Sequence, residues 1–528
     1  MSILSATSGI TDHVSVGVLL ALAFIVLIIR WRLSYRTPPG TRPLPGPWGL
    51  PYIGRVHDVD PKMPWFKLKD FTDKYGPIVQ TRIFGHEHIW VASPEIAHDL
   101  MAKRPNIYSD KHEIPIMPGV KEYPRYLPLL GYNETHRLHR KFAVTVLTEA
   151  HNNKYYGYPV TEGKRLIAKL MQDPDDYSTL IDRYTGRITC LLAWGSPERA
   201  IQIRENAALF LYDISPAGPT ANALEAPLFL PEWMVPSKKN ERLRQKKEGE
   251  MFIGELRRVR KELQDGLNPP PSYARRYVES EKQWGFRDDW EAAFAIGMGS
   301  NVGIHTISSP LNIFLLAMVL HPDWQAAIRN EIDEVLGDRF IDPSDSPNLP
   351  ILRACIKEGF RWRPPVPPGV PHPAMKDDVY NGYHIPKGAY VHSFEWGMSR
   401  DPTRYPDPET YNPGRWLSPE YPSYRAPLTE HPSIIGHTQF GFGRRQCLGQ
   451  HLGQAELFIA CGAIIWAFEL TKKKDANGQE IHVPDWDFST LPFAKPMPFH
   501  FDVNVRKHRG AKIMEYWREA EPVEDMQM

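Results

Sequence analysis

The sequence predicts a mainly α-helical protein with a minor β portion, preceded by a single N-terminal transmembrane helix. Three observations support this fold class. An uncharged apolar run covers residues 14–29, β-favouring side chains are frequent between 76 and 93, and helical patterns dominate from about residue 137 onward. No stretch of disordered composition divides the rest of the chain, so a single large domain over residues 55–505 is the simplest organisation.

The N-terminal apolar run is predicted to anchor the protein in a membrane. Residues 14–29 contain one serine and no charge, which is near the length that a spanning helix needs. A cleaved signal peptide would carry positive charge before the run. Here the first 13 residues contain no lysine or arginine, and three arginines follow the run instead. We therefore expect a short segment at 1–13, an anchor at 14–32 and a cytosolic body; a buried core helix is the alternative.

A proline-rich connector is predicted at 33–54, because proline fixes its own backbone angle and favours extended forms before it. In the body, the apolar stretch 290–320 is too rich in glycine and polar residues for a second span. Residues 322–336 have the pattern of a charged amphipathic helix. Six prolines between 364 and 373 exclude a helix there. The charged segment 506–528 is expected to be a mobile tail.

Charge and cysteine content exclude several classes of protein. The 63 Lys and Arg residues almost balance the 62 Asp and Glu residues, which argues against a nucleic-acid-binding surface. The four cysteines, Cys190, Cys355, Cys447 and Cys461, form no C-x-x-C pair, so a zinc ribbon is not expected. They are also too few for a disulfide framework in so long a chain, which favours a reducing compartment.

A glycine-rich loop carries the strongest chemical signal. Residues 440–449 read FGFGRRQCLG and end where a helical pattern over 449–468 begins. A helix N-terminus supplies partial positive charge and free N–H groups, which stabilise a thiolate at Cys447. Glycines in the loop let the backbone approach a flat cofactor closely, and Arg445 can pair with a cofactor carboxylate. P-loop and dinucleotide-binding patterns do not match these residues, and a buried structural cysteine is the remaining alternative.

This loop resembles the haem-binding signature of the cytochromes P450. All fixed positions of that signature are present, at Phe440, Gly441, Gly443, Arg445, Cys447 and Gly449. The resemblance implies the cytochrome P450 fold, haem b as cofactor and Cys447 as the axial thiolate ligand of the iron. It runs from the apolar N-terminus to residues 491–499 and is greatest to membrane-bound enzymes of fungal secondary metabolism.

Two further segments imply a buried charge network. Glu358 and Arg361 form an E-x-x-R pair upstream of the cysteine loop, and residues 411–416 (YNPGRW) resemble the second conserved arginine segment of the family. The resemblance implies that Glu358, Arg361 and Arg415 form one network, which is tolerable only if every charge is paired. We expect this network to be structural and not catalytic.

Three residues besides Arg445 are candidates to hold the haem propionates. Residues 132–142 (YNETHRLHRKF) resemble the family's helix in which a Trp and, four residues on, an Arg bind a propionate. Arg140 matches the Arg, and His136 replaces the Trp with a ring that can still donate a hydrogen bond. His372 follows the proline-rich loop, where the family often places a propionate-binding residue; a surface histidine is the alternative.

The proton-delivery segment departs from the family pattern. Members usually carry Gly-x-Asp/Glu-Thr on a long distal helix, whereas residues 302–306 read VGIHT. Gly303 and Thr306 are retained, and His305 replaces the acid of the pair that delivers protons to dioxygen. Because histidine titrates near neutrality, His305 can act as a proton relay with Thr306. The alternatives are radical abstraction without oxygen insertion, a weakened dioxygen cycle with rearrangement, or a His305 that points away while water carries the protons.

The resemblance implies a haem-thiolate monooxygenase that oxidises a lipophilic small molecule, a secondary-metabolite intermediate. Its electrons are expected from NADPH through NADPH–cytochrome P450 reductase in the same endoplasmic reticulum membrane, with the catalytic domain cytosolic. Membrane lipid is an expected partner and nucleic acid is not. Family anatomy places the substrate pocket between segments at 114–130, 228–236, 302–306, 367–370 and 492–498.

Two other hypotheses stay open at this point. The same haem site can catalyse oxidative phenol coupling, ring closure or a redox-neutral rearrangement. A non-catalytic membrane haem protein belongs to another class, and the retention of Thr306 argues against it.

Overall fold

The computed structural model describes residues 18, 21, 22, 24–26, 28–33, 36–60, 62–215, 218–224, 226–489 and 492–521. The predicted anchor at 14–32 therefore lies partly outside the described residues, as does the end of the charged segment. The described residues between 18 and 33 are helical, and most of their apolar side chains are exposed, including Val18, Leu22, Phe24, Ile25, Val26 and Ile29.

The body is mainly helical, which confirms that part of the predicted fold class; the transmembrane helix stays a prediction. The predicted helix at 322–336 coincides with α12, and the proline-rich segment at 364–371 is not helical. The helices are α1 (Pro64–Tyr75), α2 (Pro94–Ala97), α3 (Pro105–Tyr108), α4 (Glu134–Asn152), α5 (Tyr158–Gln172), α6 (Tyr177–Trp194), α7 (Ala200–Ile214), α8 (Ala226–Phe229), α9 (Pro236–Gln264), α10 (Tyr273–Glu279), α11 (Asp289–Leu320), α12 (Pro322–Leu336), α13 (Pro350–Trp362), α14 (Glu395–Met398), α15 (Gln450–Ala467) and α16 (Arg509–Ala520).

Helix starts follow from local sequence. The Asn133 side chain accepts a hydrogen bond from the backbone N–H of His136 and so caps α4, and Asp288 caps α11 in the same way. Helices α1, α9, α12 and α13 begin with proline, which lacks the N–H that would be unpaired in a first turn.

The β portion is small, as predicted. One sheet has the strand order β1 (Ile78–Ile83), β2 (His86–Val91), β6 (Tyr390–Ser393) and β3 (His372–Pro373), and the β2–β6 pair is parallel. Two further pairs join β4 (Asp378–Tyr380) to β5 (Tyr383–Ile385) and β7 (Phe468–Lys472) to β8 (Phe501–Val505). The predicted strands between 76 and 93 correspond to β1 and β2.

The segment predicted as a connector lies along the edge of the four-stranded sheet. The backbone N–H of Gln80 donates to the carbonyl of Pro45 at 2.9 Å, and Leu44 is buried. A side chain at Gly46 would place its Cβ 2.0 Å from the Gln80 carbonyl oxygen, so this close approach requires glycine. The domain boundaries themselves stay predictions.

Helix α11 forms the centre of the core and packs against α6, α7, α9 and α15. Its 32 residues continue through Pro310. Within the described part of the chain, α11 is the one helix long and apolar enough to cross a membrane. Because 78% of its most apolar window is buried inside the protein, it has the character of a core helix.

The expectation of a mobile tail is wrong for residues 509–520, which form α16 against α5. Ile513 is fully buried, and Arg509 pairs with Asp333 and Asp338. The buried positions 509, 513, 516 and 520 recur at helical spacing, so an amphipathic face holds this charged segment on the body.

Candidate active site

The glycine-rich loop places Cys447 directly before α15. Gly443 has a positive φ of 62°, and a Cβ there would lie 2.3 Å from the Met101 carbonyl oxygen, so this turn requires glycine. The backbone N–H of Cys447 donates to the Phe440 carbonyl at 2.7 Å and closes the loop. Burial raises the pKa of the Cys447 thiol, while a hydrogen bond from the Gly449 backbone and the charge of Arg140 lower it.

A cavity of about 2550 Å³ opens on Cys447. Its walls are mostly apolar, and all five segments predicted to form the substrate pocket contribute to it. The sequence-predicted residues that line it are His136, Arg140, Thr306, His372, Phe440, Gly441, Arg445, Cys447 and Gly449. Gly443 packs against Met101 instead.

Three cationic side chains meet at this cavity without an acidic hydrogen-bond partner among the described residues. Arg445 donates to the carbonyls of Ser109 at 2.7 Å and Leu130 at 2.6 Å. Arg140 donates to the carbonyl of Gln446 at 3.3 Å. Lys111 donates to the carbonyl of Pro371 at 3.2 Å.

Burial and mutual repulsion make these cations costly. Burial, with the charge of Arg445, lowers the pKa of Lys111 to about 7. Burial also lowers the pKa of Arg445 to about 10 and lowers that of Arg140. Charges taken out of water are stable only when they are paired, so this arrangement calls for an anion in the cavity.

Two neutral histidines lie beside these cations. The buried His136 ring has no partner for its Nδ1 in the described structure, and burial with the charges of Arg445 and Arg140 lowers its pKa to about 3. Nδ1 of His372 donates to the Tyr108 carbonyl at 2.8 Å. The neutral His372 ring then offers only an acceptor at Nε2, so it donates to a carboxylate only when it is protonated.

Together these residues fit haem. A flat dianionic cofactor would lie beside the Cys447 thiol, and its propionates would compensate the charges of Lys111, Arg140 and Arg445. Lys111 is a site residue that the sequence reasoning missed. It lies in a loop with no motif, and an isolated Lys-His pair carries no signal of its own.

The two predicted proton-delivery residues face different surroundings. Thr306 lines the cavity, and its hydroxyl donates to the carbonyl of Val302 at 2.9 Å. His305 does not line the cavity in the described structure. Burial lowers the pKa of His305, the charge of Asp182 opposes that shift, and Asp182 pairs with Lys495 at 2.9 Å. The cavity face of α11 is formed here by Val302, Gly303, Thr306 and Ile307, and His305 lies on another face of the helix.

The predicted charge network lies away from the cavity and is fully buried. Glu358 pairs with Arg361 at 2.7 Å and with Arg415 at 3.0 Å. Its carboxylate also accepts hydrogen bonds from Trp416 Nε1 at 3.0 Å and from the backbone N–H of Asn412 at 2.9 Å. Every charge is paired, which is the condition for tolerating such a network.

The fold and the site thus define a haem-thiolate class of protein. The family model described as cytochrome P450 matches residues 43–492. The cytochrome P450 monooxygenase virE of Hypocrea virens is 31% identical over 513 residues, covering 95% of this chain and 92% of that protein. The cytochrome P450 monooxygenase fogE of Aspergillus ruber is 30% identical over 511 residues, covering 94% of both chains.

A solved zebra fish cytochrome P450 with abiraterone has the same fold, with a TM-score of 0.64 at 19% identity over 84% of this chain and 100% of that chain. The chain therefore belongs to the cytochrome P450 family. The predicted family and the enzyme class, a cytochrome P450 monooxygenase, are confirmed. Haem iron with a thiolate ligand is the cofactor that this family implies.

Proposed function

We propose that the protein is a membrane-anchored monooxygenase that oxidises a lipophilic intermediate of secondary metabolism, with electrons from NADPH–cytochrome P450 reductase. The observation that carries this proposal is that Cys447 and Thr306 line the same, mostly apolar cavity. One atom of dioxygen enters the product and the other leaves as water, which consumes two electrons from NADPH and two protons. When bound, haem iron with its thiolate supplies the redox chemistry that activates dioxygen.

The residues of this chain have separate tasks in that reaction. Cys447 would hold the iron, and Lys111, His136, Arg140 and Arg445 would hold the propionates, with His372 joining them only when it is protonated. The Thr306 hydroxyl would hold a proton donor at the cavity wall, since it can exchange its bond to the Val302 carbonyl for one to water or substrate. His305 would act behind it, with Asp182, on the path that resupplies protons.

A single-pass anchor is supported by the N-terminal residues, and an endoplasmic reticulum location follows from the proposed reductase partner. Phe24, Ile28 and Trp31 line the same cavity as Cys447, and the neighbouring apolar side chains are exposed. The cavity therefore extends to the N-terminal helix, where a lipophilic substrate would enter from the membrane. Such an anchor leaves the catalytic domain in the cytosol.

A second candidate function is oxidative coupling or ring closure at the same site. It is favoured by one observation, the presence of His305 where most family members carry an acid, because altered proton delivery would allow radical abstraction without oxygen insertion.

Untargeted mass spectrometry of cells that make the full-length protein and reductase under isotopically labelled dioxygen distinguishes these functions. A product with one labelled oxygen atom supports the monooxygenase. A product with two hydrogens fewer, or with two substrate units joined, supports coupling, and an unlabelled isomer supports rearrangement. No difference from cells lacking the protein, with the producing pathway present, would contradict all of them.

Replacing Thr306 by alanine is expected to uncouple dioxygen consumption from product formation. Without the hydroxyl, a proton donor is not held at the cavity wall, so we expect product per NADPH to fall about tenfold or more while hydrogen peroxide rises. Thr306→Ser, which keeps the hydroxyl, should restore most of the coupling. The measurement is product, peroxide and NADPH in the same reaction. Unchanged coupling in Thr306→Ala would show that water alone suffices.

Replacing Arg445 by leucine is expected to weaken haem binding. Hydrogen bonds to charged groups contribute about 1.5–3 kcal/mol, so haem affinity should fall about 10- to 100-fold. The neighbouring Arg444 is exposed and bonds to Asn106 and the Tyr132 hydroxyl, so Arg444→Leu is the matched control. The readout is the haem-to-protein ratio after transfer to apomyoglobin. Equal haem loss in both variants would argue against a propionate contact.

A further inference from the structure

Four histidines meet where the four-stranded sheet faces the loop that follows α3. His86 and His88 lie on β2, His392 lies on β6, and the parallel register pairs His88 with Tyr390. Alternate residues of a strand share one face, so these rings come together. His112 reaches them from the loop, with its ring centroid 5.2 Å from that of Tyr390. His86, His88, His112 and His392 are called the histidine cluster below.

The histidine cluster faces the cavity and is partly open in its hydrogen bonding. All four rings line the cavity that holds Cys447. Nδ1 of His88 lies 3.0 Å from Nε2 of His392, and the His392 ring stacks on Trp90 with centroids 4.0 Å apart. Nδ1 of His112 is buried and has no hydrogen-bond partner in the described part of the chain. A buried polar atom of this kind is costly while it lacks a partner.

The imidazoles of His88, His112 and His392 are neutral near pH 7. Burial, with the charges of His86 and His112, lowers the pKa of His88 to about 3. Burial, with the charge of Lys111, lowers the pKa of His112 to about 4, and burial holds the pKa of His392 well below its usual value.

The acids near the cluster already have partners. Asp110 pairs with Lys121 at 2.7 Å, and Glu87 pairs with Arg82. Glu113 accepts the backbone N–H of Gly119 at 3.2 Å. The other charged or titratable side chains facing the cluster are Lys111, His372 and Tyr390. An acid that pairs with the cluster would therefore have to come from a ligand.

The histidine cluster adjoins the wall that fits the propionates and extends beyond it. The charge of Arg445 lowers the pKa of His136, His372 and Lys111, which places those three beside it. The histidine cluster meets this wall at two places, because Lys111 lowers the pKa of His112 and His372 lowers that of His392. His88 responds instead to His86 and His112. The polar lining of the cavity therefore continues past the residues that fit the propionates.

We propose that the histidine cluster binds the carboxylate of the substrate, so that the enzyme acts on lipophilic carboxylic acids. This inference rests on the proposed function, because it names the substrate class of the same cavity. A carboxylate leaving neutral water takes up one proton as it binds. That proton goes to the His112 ring, which forms an imidazolium–carboxylate pair of zero net charge.

A matched pair of probes tests the inference on the full-length holoenzyme. Dodecanoic acid and dodecan-1-ol have the same chain, and only the acid is ionised near neutrality. We expect the acid to bind about tenfold more tightly or better, with uptake of about one proton, whereas the alcohol takes up none. Isothermal titration calorimetry in two buffers of different ionisation enthalpy gives both the affinity and the proton count.

Variants assign the effect to the cluster. His112→Phe is expected to remove the preference for the acid and leave the affinity for the alcohol unchanged. His112→Asn keeps a hydrogen-bonding side chain that cannot take a proton, and it serves the same purpose if the Phe variant does not fold. The exposed His500 provides the control His500→Phe, which should behave as the unsubstituted protein does. Naphthoic acid and naphthalenemethanol repeat the comparison for a cavity that prefers rings.

Two results would overturn the inference. The first is that acid and alcohol bind with equal affinity in both probe pairs. The second is that the preference for the acid survives in both His112 variants. The carbon monoxide spectrum of the same preparation tests the proposed function separately. A missing thiolate-type band would count against that function, while the calorimetry still decides whether the cluster prefers acids.

Discussion

Replacement of Cys447 by alanine is expected to abolish substrate oxidation, with a fall of at least about 10³-fold, or about 4 kcal/mol in activation free energy. The side chain is the one thiol that opens on the cavity among the four cysteines, because Cys190, Cys355 and Cys461 are buried elsewhere. The Gly449 backbone and Arg140 both favour its thiolate form. No other described side chain of the loop could supply an equivalent ligand.

The measurement combines product formation with the carbon monoxide spectrum of the reduced protein. Cys447→Ala should lose both the product and the thiolate-type band. Cys447→Ser, which keeps the shape of the side chain, should also lose the band even where it retains some haem. Cys190→Ala is the matched control, since Cys190 is buried on α6 away from the cavity, and it should retain both signals. Oxidation at an unchanged rate in Cys447→Ala would refute the assignment of the ligand.

The parts of this structure that could be predicted from the sequence are those formed by residues close together in the chain. Helix α12 and the cysteine loop follow from hydrophobic spacing and glycine placement within a short stretch. The buried face of α16 could have been predicted in the same way, because positions 509, 513, 516 and 520 recur at helical spacing. The high charge of the segment made that spacing easy to overlook. Charge alone is therefore a poor guide to mobility at a terminus.

The missed parts of the site are assembled from segments far apart in the chain. Lys111 meets Arg445 only because the loop after α3 folds over the sheet, and His88 meets His392 only through the parallel pairing of β2 with β6. The alternating histidines at 86 and 88 were visible in the sequence. Nothing local indicated which face of the strand would line a cavity.

The direction in which His305 points was also beyond the sequence. His305 stands at the position of the family's acid, beside Thr306, so the sequence assigned it to proton delivery and left its pointing away as an alternative. The rotation of α11 about its axis determines where each side chain points. Thr306 lines the cavity, and His305 lies near Asp182.

Replacement of Glu358 by alanine is expected to destabilise the protein by about 3–5 kcal/mol, because it leaves two buried arginines without their shared carboxylate. That amount is a large part of the stability of most folded proteins, which is about 5–15 kcal/mol. We expect little folded protein at growth temperature, and a clear loss of resistance to urea in what remains. Glu430→Ala, at an exposed glutamate, is the matched control and should have no measurable effect.

A structural role and a catalytic role for the network make different predictions for milder variants. Glu358→Gln keeps acceptors for Trp416 and Asn412 and loses only the charge, so some of the protein should fold. In that folded fraction, kcat per haem should be unchanged, because the network does not line the cavity within the described residues. Replacing Glu358, Arg361 and Arg415 together by leucine or methionine should cost less than Glu358→Ala alone, since no buried charge then stays unpaired. A fall in kcat per haem in well-folded Glu358→Gln would instead place the network in the reaction.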